Sequence, residues 1–339
     1  MSIKLGLNGF GRIGRIMTRA AHNMDDIEIV GINDLNGDFE YLAYLLKYDT
    51  TFGRYEGTVE AWEEGLVIDG KKIKVFSCKD AKDIPWGELG AEYVVDATGV
   101  YTSSEKAMAH IEAGAKHVII SAPAKDKETP TFVCGVNLDK YTSDMKVVSN
   151  ASCTTNCLAP MCKVLQDNWG IEKGLMATVH ASTSKQKTVD AESPKDWRAG
   201  RSVYGNIIPS TTGAAKAVGL VIPELQGKMT GISYRIPAAD VSLVDLNVIL
   251  KKETTLDEIK AAFKAASQEG DLVGVIEYCD DEIVSQDFRG DAHTSIFDSK
   301  QGIQLDGKMF KLVAFYDNEF GYSTKLLELI RHMYSVDNK

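Results

Sequence analysis

The sequence predicts an α/β protein, with a doubly wound parallel sheet in the first part of the chain and an α+β domain with a largely antiparallel sheet in the second. Three observations carry this. Over the first 150 residues, short runs of continuous apolar, β-branched residues alternate with helical patterns, as strands buried on both faces require. Beyond that point the apolar runs lengthen and alternate with polar residues, the mark of a sheet with one covered face. A Gly-x-Gly-x-x-Gly turn stands between the first strand pattern and the first helix pattern.

Taken in order, Ile3–Leu7, Ile27–Ile32, Tyr93–Asp96, His117–Ser121 and Lys146–Ser149 read as the strands of the first domain. Gly11–Asn23 and Ser103–Ala113 read as its helices, the second opened by the capping-box pattern Thr102-x-x-Glu105. In the second part, Leu175–Val179, Met229–Ile236, Val241–Leu250, Leu272–Tyr278 and Phe310–Tyr316 read as strands. Thr255-x-x-Glu258 starts a helix to about Gln268 that places Ile259, Ala262, Phe263 and Ala266 on one face. Tyr322 to Tyr334 is a closing helix with a stripe of Leu326, Leu327, Ile330 and Met333, which needs a docking surface that the first domain can supply.

Composition narrows the function classes. A chain of 339 residues with 44% hydrophobic and 25% charged side chains has ample material for two cores. Its formal charge of −10 suits no nonspecific nucleic-acid binder, which needs counterion-releasing basic stripes. No apolar run reaches the roughly 20 residues of a membrane span, and the first residues form no basic-then-apolar leader. A cytoplasmic protein is expected. Six cysteines are too few for a disulfide scaffold, and the cluster Cys153, Cys157, Cys162 lacks the four-ligand set of a structural zinc site, so no metal is expected.

Gly9-Phe10-Gly11-Arg12-Ile13-Gly14 follows a strand and opens a helix, and Asp34 ends the next strand 20 residues after Gly14. That is the dinucleotide-binding context of a Rossmann domain. Gly9 permits the tight turn, Gly11 lets backbone approach a pyrophosphate, and Gly14 lets helix and strand pack closely. Asp34 accepts hydrogen bonds from a ribose and repels a 2′-phosphate, which favours NAD over NADP.

Cys153 follows the strand ending at Ser149 and precedes the helical pattern Leu158–Gln166, whose Pro160 suits a first turn. A cysteine at a helix start meets a dipole and free N–H groups that favour a thiolate. His180 ends an apolar strand and precedes the polar run from Ala181 to Ser184. Position alone is equally compatible with a packed cysteine and a solvated histidine. Between Thr183 and Arg235, eight basic side chains face four acidic ones, a net +4 that suits either a solvated loop or the attraction of a phosphorylated substrate. Ser210-Thr211-Thr212-Gly213-Ala214-Ala215 adds hydroxyls and N–H groups at another helix start. A dinucleotide site, a dipole-facing thiol and an anion patch together suggest oxidation of a phosphorylated aldehyde through a thioester.

The sequence resembles those of phosphorylating glyceraldehyde-3-phosphate dehydrogenases over essentially the whole chain. The resemblance rests on Asn8 to Arg15, Ala151-Ser152-Cys153-Thr154-Thr155-Asn156-Cys157-Leu158, Thr178-Val179-His180-Ala181, Thr211 to Val218, and Tyr316-Asp317-Asn318-Glu319. It implies Cys153 as nucleophile and His180 as its base. It implies Ser152, Thr154, Thr212 and Gly213 as the site of inorganic phosphate, and Thr183 and Arg235 as contacts to the substrate's phosphate. Gly9, Gly11, Arg12, Ile13, Gly14, Asp34, Lys79, Ser121 and Asn318 correspond to cofactor contacts.

The resemblance further implies a glycolytic enzyme that makes 1,3-bisphosphoglycerate from glyceraldehyde 3-phosphate, NAD and phosphate. It also implies a homotetramer in which the stretch around Thr183–Ile207 reaches a neighbouring subunit. The domains would be residues 1–152 with 316–339 for NAD and residues 153–315 for catalysis. Phe320 stands where a tryptophan is common, and Ala191-Glu192 where Gly-Pro or Leu-Pro often occurs. Two competing readings are a hydrolytic erythrose-4-phosphate dehydrogenase and a non-catalytic NAD-binding interaction protein.

Overall fold

The computed structural model describes residues 2–339. The chain divides into two units. One holds the chain up to Phe132, Leu138–Ala151 and Ser323–Lys339; the other holds Val133–Asn137 and Ser152–Tyr322.

In the first unit, β1 (Ile3–Asn8) leads through α1 (Arg12–Ala21) to β2 (Ile27–Asn33), followed by α2 (Phe39–Lys47). A meander of β3 (Val59–Trp62), β4 (Gly65–Ile68) and β5 (Lys71–Phe76) comes next, then β6 (Tyr93–Asp96), α3 (Ser104–Glu112), β7 (His117–Ile120) and β8 (Val147–Ser149). The sheet order is β8-β7-β6-β1-β2-β5-β4-β3. The six strands from β8 to β5 are parallel and the β3–β4 hairpin is antiparallel at the edge. Leu5, Leu7, Ile32, Val94, Val95, Val118 and Ile119 are fully buried. Side chains of successive strand residues point to opposite faces, so burying both Val94 and Val95 requires cover on both. Each large apolar side chain so buried contributes about 1.5–3 kcal/mol.

α3 starts one residue later than the capping-box pattern predicts. Ser103, in extended conformation, is the cap, and its Oγ accepts from Lys106 N at 3.4 Å. Ser104 N–H is held by Asp126 and Thr129, which sets the point where the helix begins. The hairpin of residues 59–76 carries too few residues per strand to be separated from loop by periodicity, and sequence reading passed over it.

In the second unit, α4 (Cys153–Asn168) leads to β9 (Ile171–His180), β10 (Ile208–Thr211), α5 (Ala214–Val221), β11 (Met229–Arg235) and β12 (Ser242–Leu250). The order continues with α6 (Leu256–Gln268), β13 (Ile276–Cys279), β14 (Ser295–Asp298) and β15 (Met309–Tyr316). The sheet order is β10-β11-β9-β12-β15-β14-β13, antiparallel except for the β9–β11 and β13–β14 pairs. Strict alternation of buried residues along β12 and β15 matches the predicted one-faced sheet. α6 carries the complete Thr255/Glu258 capping box and buries Ile259 and Phe263.

Two expectations fail here. The strand predicted at Leu272–Tyr278 begins only at Ile276, because Gly274 takes a φ of +75° and Val275 N–H turns back to Leu272 O. Pro160 lies deep inside α4, not in a first turn, because the helix already begins at Cys153. Its missing N–H costs the helix one ladder bond.

The closing helix α7 (Phe320–Asp337) gives its residues from Ser323 onward to the first unit. There Asp337 accepts hydrogen bonds from the hydroxyls of Tyr93 (2.6 Å) and Tyr141 (3.0 Å), while Leu326, Leu327, Ile330 and Met333 are fully buried. The docking surface expected for this helix is the first domain.

Candidate active site

In the first unit, the C-terminal ends of the parallel strands frame a cavity of about 400 Å³. Gly9, Gly11, Asp34 and Lys79 line it, as do Asn8, Asn33, Leu35, Cys78, Thr98 and Tyr101. The three motif glycines do different work. Gly9 has a φ of +97°, which favours glycine, and a Cβ on Gly14 would stand 2.2 Å from Gly9 O. A Cβ on Gly11 would meet nothing within 4 Å. Gly11 thus keeps open the space where backbone would meet a pyrophosphate. Its helix carries no side-chain cap, so the first N–H groups are left for an anion. Asp34 Oδ2 accepts from Phe10 N (2.8 Å) and Oδ1 from Asn36 N (2.9 Å), which locks the carboxylate beside the glycine turn. These features fit an NAD adenosine and its phosphates.

Other predicted cofactor contacts are placed less directly. Arg12 pairs with Asp49, whose carboxyl is held low by the Arg12 hydrogen bond and the N–H groups of Phe52 and Thr51, although burial pulls the other way. Ile13 is half-buried in the first turn of α1, and Ser121 follows β7 with its hydroxyl buried. Asn318 belongs to the second unit, where its Oδ1 accepts from Ser242 Oγ at 2.6 Å.

The second unit brings together the predicted nucleophile and base. Cys153 is the first residue of α4, behind the cap Ser152, whose Oγ accepts from Thr155 N at 3.1 Å. His180 ends β9, and its Nε2 lies 3.4 Å from Cys153 Sγ. The parallel register pairs His180 with Arg235, and Arg235 Nη1 lies 2.7 Å from His180 Nδ1. Tyr316 backs the pair: its hydroxyl meets Thr154 Oγ1 (2.8 Å) and Thr178 Oγ1 (3.0 Å), and its ring stands edge-on to His180. Tyr316 and Thr178 stand in the motif segments without a role assigned from sequence, because nothing local marks a buried strand hydroxyl.

Burial pushes the Cys153 thiol up, and the attraction of Arg235 does not offset it. Burial and then Arg235 push His180 down to about 3. Burial disfavours the charged form of both groups.

The predicted anion residues gather at two helix starts. Thr155 Oγ1 meets Ser152 Oγ (2.8 Å) and donates to Ala214 O (3.4 Å), so the N-termini of α4 and α5 converge. Thr212 Oγ1 accepts from Ala214 N, and Gly213 opens α5 with no side-chain cap. Thr154 is buried with its hydroxyl on Tyr316, which leaves only its backbone for an anion. Thr183 is exposed, its N–H and hydroxyl both directed to Gln186 Oε1.

No disulfide joins any of the six cysteines. Cys157 and Cys162 are fully buried, and burial pushes their thiols up, Cys162 to about 12. Among the described residues, Glu277, Asp291 and His293 form the one set of acidic and histidine side chains close enough to share a metal ion, and His293 already pairs with Asp291 at 2.7 Å. No helix among the described residues is long and apolar enough to cross a membrane.

Comparison with known proteins supplies the family. Residues 3–104 match the model described as glyceraldehyde 3-phosphate dehydrogenase, NAD binding domain, and residues 152–318 match the C-terminal domain of the same name. The chain is 57% identical over 337 residues to glyceraldehyde-3-phosphate dehydrogenase 2 of Mucor circinelloides f. lusitanicus, covering 99% of each. It is 56% identical to the cytosolic glyceraldehyde-3-phosphate dehydrogenase 3 of Zea mays, covering 98% of this chain and 99% of the relative. Identity to glyceraldehyde-3-phosphate dehydrogenase 3 of Saccharomyces cerevisiae is 54%, with the same coverage.

Proposed function

The chain belongs to the glyceraldehyde-3-phosphate dehydrogenase family, and from that premise we propose how its own residues carry the reaction. It oxidises glyceraldehyde 3-phosphate with NAD and inorganic phosphate to 1,3-bisphosphoglycerate. The observation that supports the assignment of roles is Cys153 Sγ at a helix start, 3.4 Å from His180 Nε2.

Cys153 loses its proton to His180 and adds to the aldehyde carbon, giving a thiohemiacetal. The imidazolium and a backbone N–H at the start of α4 hold the alkoxide as it forms. Gly9, Gly11, Arg12, Ile13, Gly14, Asp34, Lys79, Ser121 and Asn318 would hold NAD, which would supply the hydride acceptor. The Cys153 thioester that remains keeps the oxidation energy until phosphate, held by Ser152, Thr154, Thr212 and Gly213, attacks it. Arg235 and Thr183 hold the substrate's own phosphate. Cofactor binding is assigned to residues 1–152 with 316–339 and the chemistry to residues 153–315.

A cytoplasmic homotetramer completes the reading. The stretch 183–207 exposes Val189, Trp197, Tyr204 and Ile207, and the strands β9 and β11 expose Leu175 and Ile232. Apolar side chains grouped in this way mark surfaces that another subunit covers.

The test is a reaction mixture without phosphate. NADH should form in a burst of about one equivalent per active subunit and then stall, because a thioester shielded from water accumulates. Phosphate should restart turnover. Sustained turnover without phosphate would hand the reaction to hydrolysis and refute the phosphorolytic roles.

A further inference from the structure

We propose that Asn33 is a positioning residue of the cofactor site: its side-chain amide clamps the backbone of Cys78 and so fixes where Lys79 stands at the cavity wall. The proposal rests on the reading of Asp34 and Lys79 as cofactor contacts. The ladder between β2 and β5 ends where Asn33 pairs with Phe76 and Asp34 N–H donates to Phe76 O at 2.9 Å. Two residues further along, the Asn33 side chain takes over from the backbone. Its Oδ1 accepts from Cys78 N at 2.8 Å, and its Nδ2 donates to Cys78 O at 3.0 Å. A primary amide carries an acceptor and donors side by side, so this pair of bonds continues the pairing by one step past the strand end. Lys79 follows directly, and Asn33, Asp34, Cys78 and Lys79 all line the cavity.

A buried chain of hydrogen bonds leaves that amide one orientation. Asn33 Nδ2 also donates to Asn8 Oδ1 (2.9 Å), and Asn8 Nδ2 donates to Asp96 Oδ2 (2.6 Å). Asp96 is held from one side by Thr98, whose N–H and hydroxyl donate to Oδ1 at 3.2 and 2.8 Å. On its other side stands His110. Trp86 Nε1–H can only donate, and it lies 3.0 Å from His110 Nδ1, which turns His110 Nε2–H toward Asp96 Oδ2 at 3.3 Å. Asn8, Asn33, Asp96 and His110 are all buried, so a flipped Asn33 amide would face acceptor with acceptor at Cys78 O and Asn8 Oδ1, with no water to repair it. The clamped segment has little else to fix it: Cys78 is half-buried, and its thiol reaches Asp83 O at 3.4 Å. Lys79 is a flexible side chain whose reach is set by its backbone. Asn33 therefore joins the segment carrying Asp34 to the one carrying Lys79, and its contribution falls on affinity for the adenosine diphosphate part of NAD.

The experiment uses the full chain and ADP-ribose as the probe, with binding followed by calorimetry. Asn33→Ala should weaken ADP-ribose about tenfold, the effect of one or two lost hydrogen bonds. Asn33→Ala combined with Lys79→Met should bind it no more weakly than Lys79→Met alone, because Asn33 acts through Lys79. In turnover the loss should appear in KM for NAD, with kcat held within about twofold. Iodoacetamide should label Cys78 at least about fivefold faster in Asn33→Ala, while Cys157 and Cys162 stay as slow as in the parent. In the unaltered chain, the Cys78 amide should exchange its hydrogen at least about 100-fold more slowly than the Lys79 amide. Equal exchange at these two amides, additive losses in the double variant, or faster labelling of all three cysteines together would overturn the clamp. If Lys79→Met bound ADP-ribose as the parent does, the cofactor reading of Lys79 would be wrong instead.

Discussion

The helices that begin at Arg12 and at Cys153 both follow a parallel strand, yet they present opposite chemistry. The first is capped by Gly11, has no side-chain cap bond and carries no acidic residue in its first turn. Its N–H groups await a charge from outside. The second is capped by Ser152, whose hydroxyl already accepts one of the free N–H groups, and its first residue carries the reacting sulfur. In the proposed mechanism the charge is made here in place, by moving a proton to His180. The start of α5 at Gly213 follows the first pattern, with no side-chain cap. Where a visiting anion is expected the cap is glycine, and where the nucleophile is built in the cap is serine. α6, with its closed capping box, shows a helix start that has no ligand to receive.

The comparison can be broken most severely at Cys153. Cys153→Ser should lower turnover on the order of 10⁴- to 10⁶-fold, as loss of a covalent nucleophile does, while NAD titration of the variant stays unchanged. A large loss of NAD affinity would show that the two helix starts are not separate devices. Alkylation and peptide mapping of the parent should label Cys153 ahead of the buried Cys157 and Cys162.

His180→Asn should cost roughly 10²–10⁴-fold in the acylation step, the contribution of a general base. Stopped-flow alkylation of Cys153 should slow in the same variant. An undiminished alkylation rate would mean that the 3.4 Å contact moves no proton.

Asp34→Gly tests the receiving end. It removes acceptors for the N–H groups of Phe10 and Asn36 as well as for a ribose, and should weaken NAD binding by about 10- to 100-fold. The ratio of kcat/KM for NADP over NAD should rise, because a like charge no longer faces the 2′-phosphate. Cys153 labelling should be untouched.

The smallest expected effect lies away from both helix starts. Asp240 is fully buried beside Asp317, and burial, then Asp317 and Glu319, push its carboxyl up to about 9. The unfolded chain releases that proton near pH 4. Between those values the folded state binds more protons, so stability falls as pH rises. Asp240→Asn should raise Tm by a few degrees at pH 8 and hardly at all at pH 4. An equal gain at both values would show that the carboxyl does not hold its proton.

Much of this molecule is legible along the chain. Gly9 and Gly14 sit where backbone angle and close approach demand glycine, and the strand-turn-helix pattern around them is a local property. The capping box at Thr255 is local too, and so is the placing of Cys153 after a strand. Legibility fails where a short segment depends on distant partners. The meander of residues 59–76, the late start of β13 and the early start of α4 at Cys153 all depend on such partners.

By itself, then, the sequence determined the glycine turn, Asp34 at its strand end, and a cysteine and a histidine at the ends of elements, because backbone conformation and contacts a few residues apart depend on nearby residue types alone. Tertiary structure decided that Arg235 stands on His180, 55 residues away, and that Tyr316 reaches Thr154 and Thr178. It also decided that Asn8, Asn33 and Cys78 line one cavity with Asp34. Those neighbours follow from strand order and register, which settle only when both faces of a sheet are buried together. A one-residue slip between β9 and β11 would turn Arg235 to the opposite face and leave His180 without it.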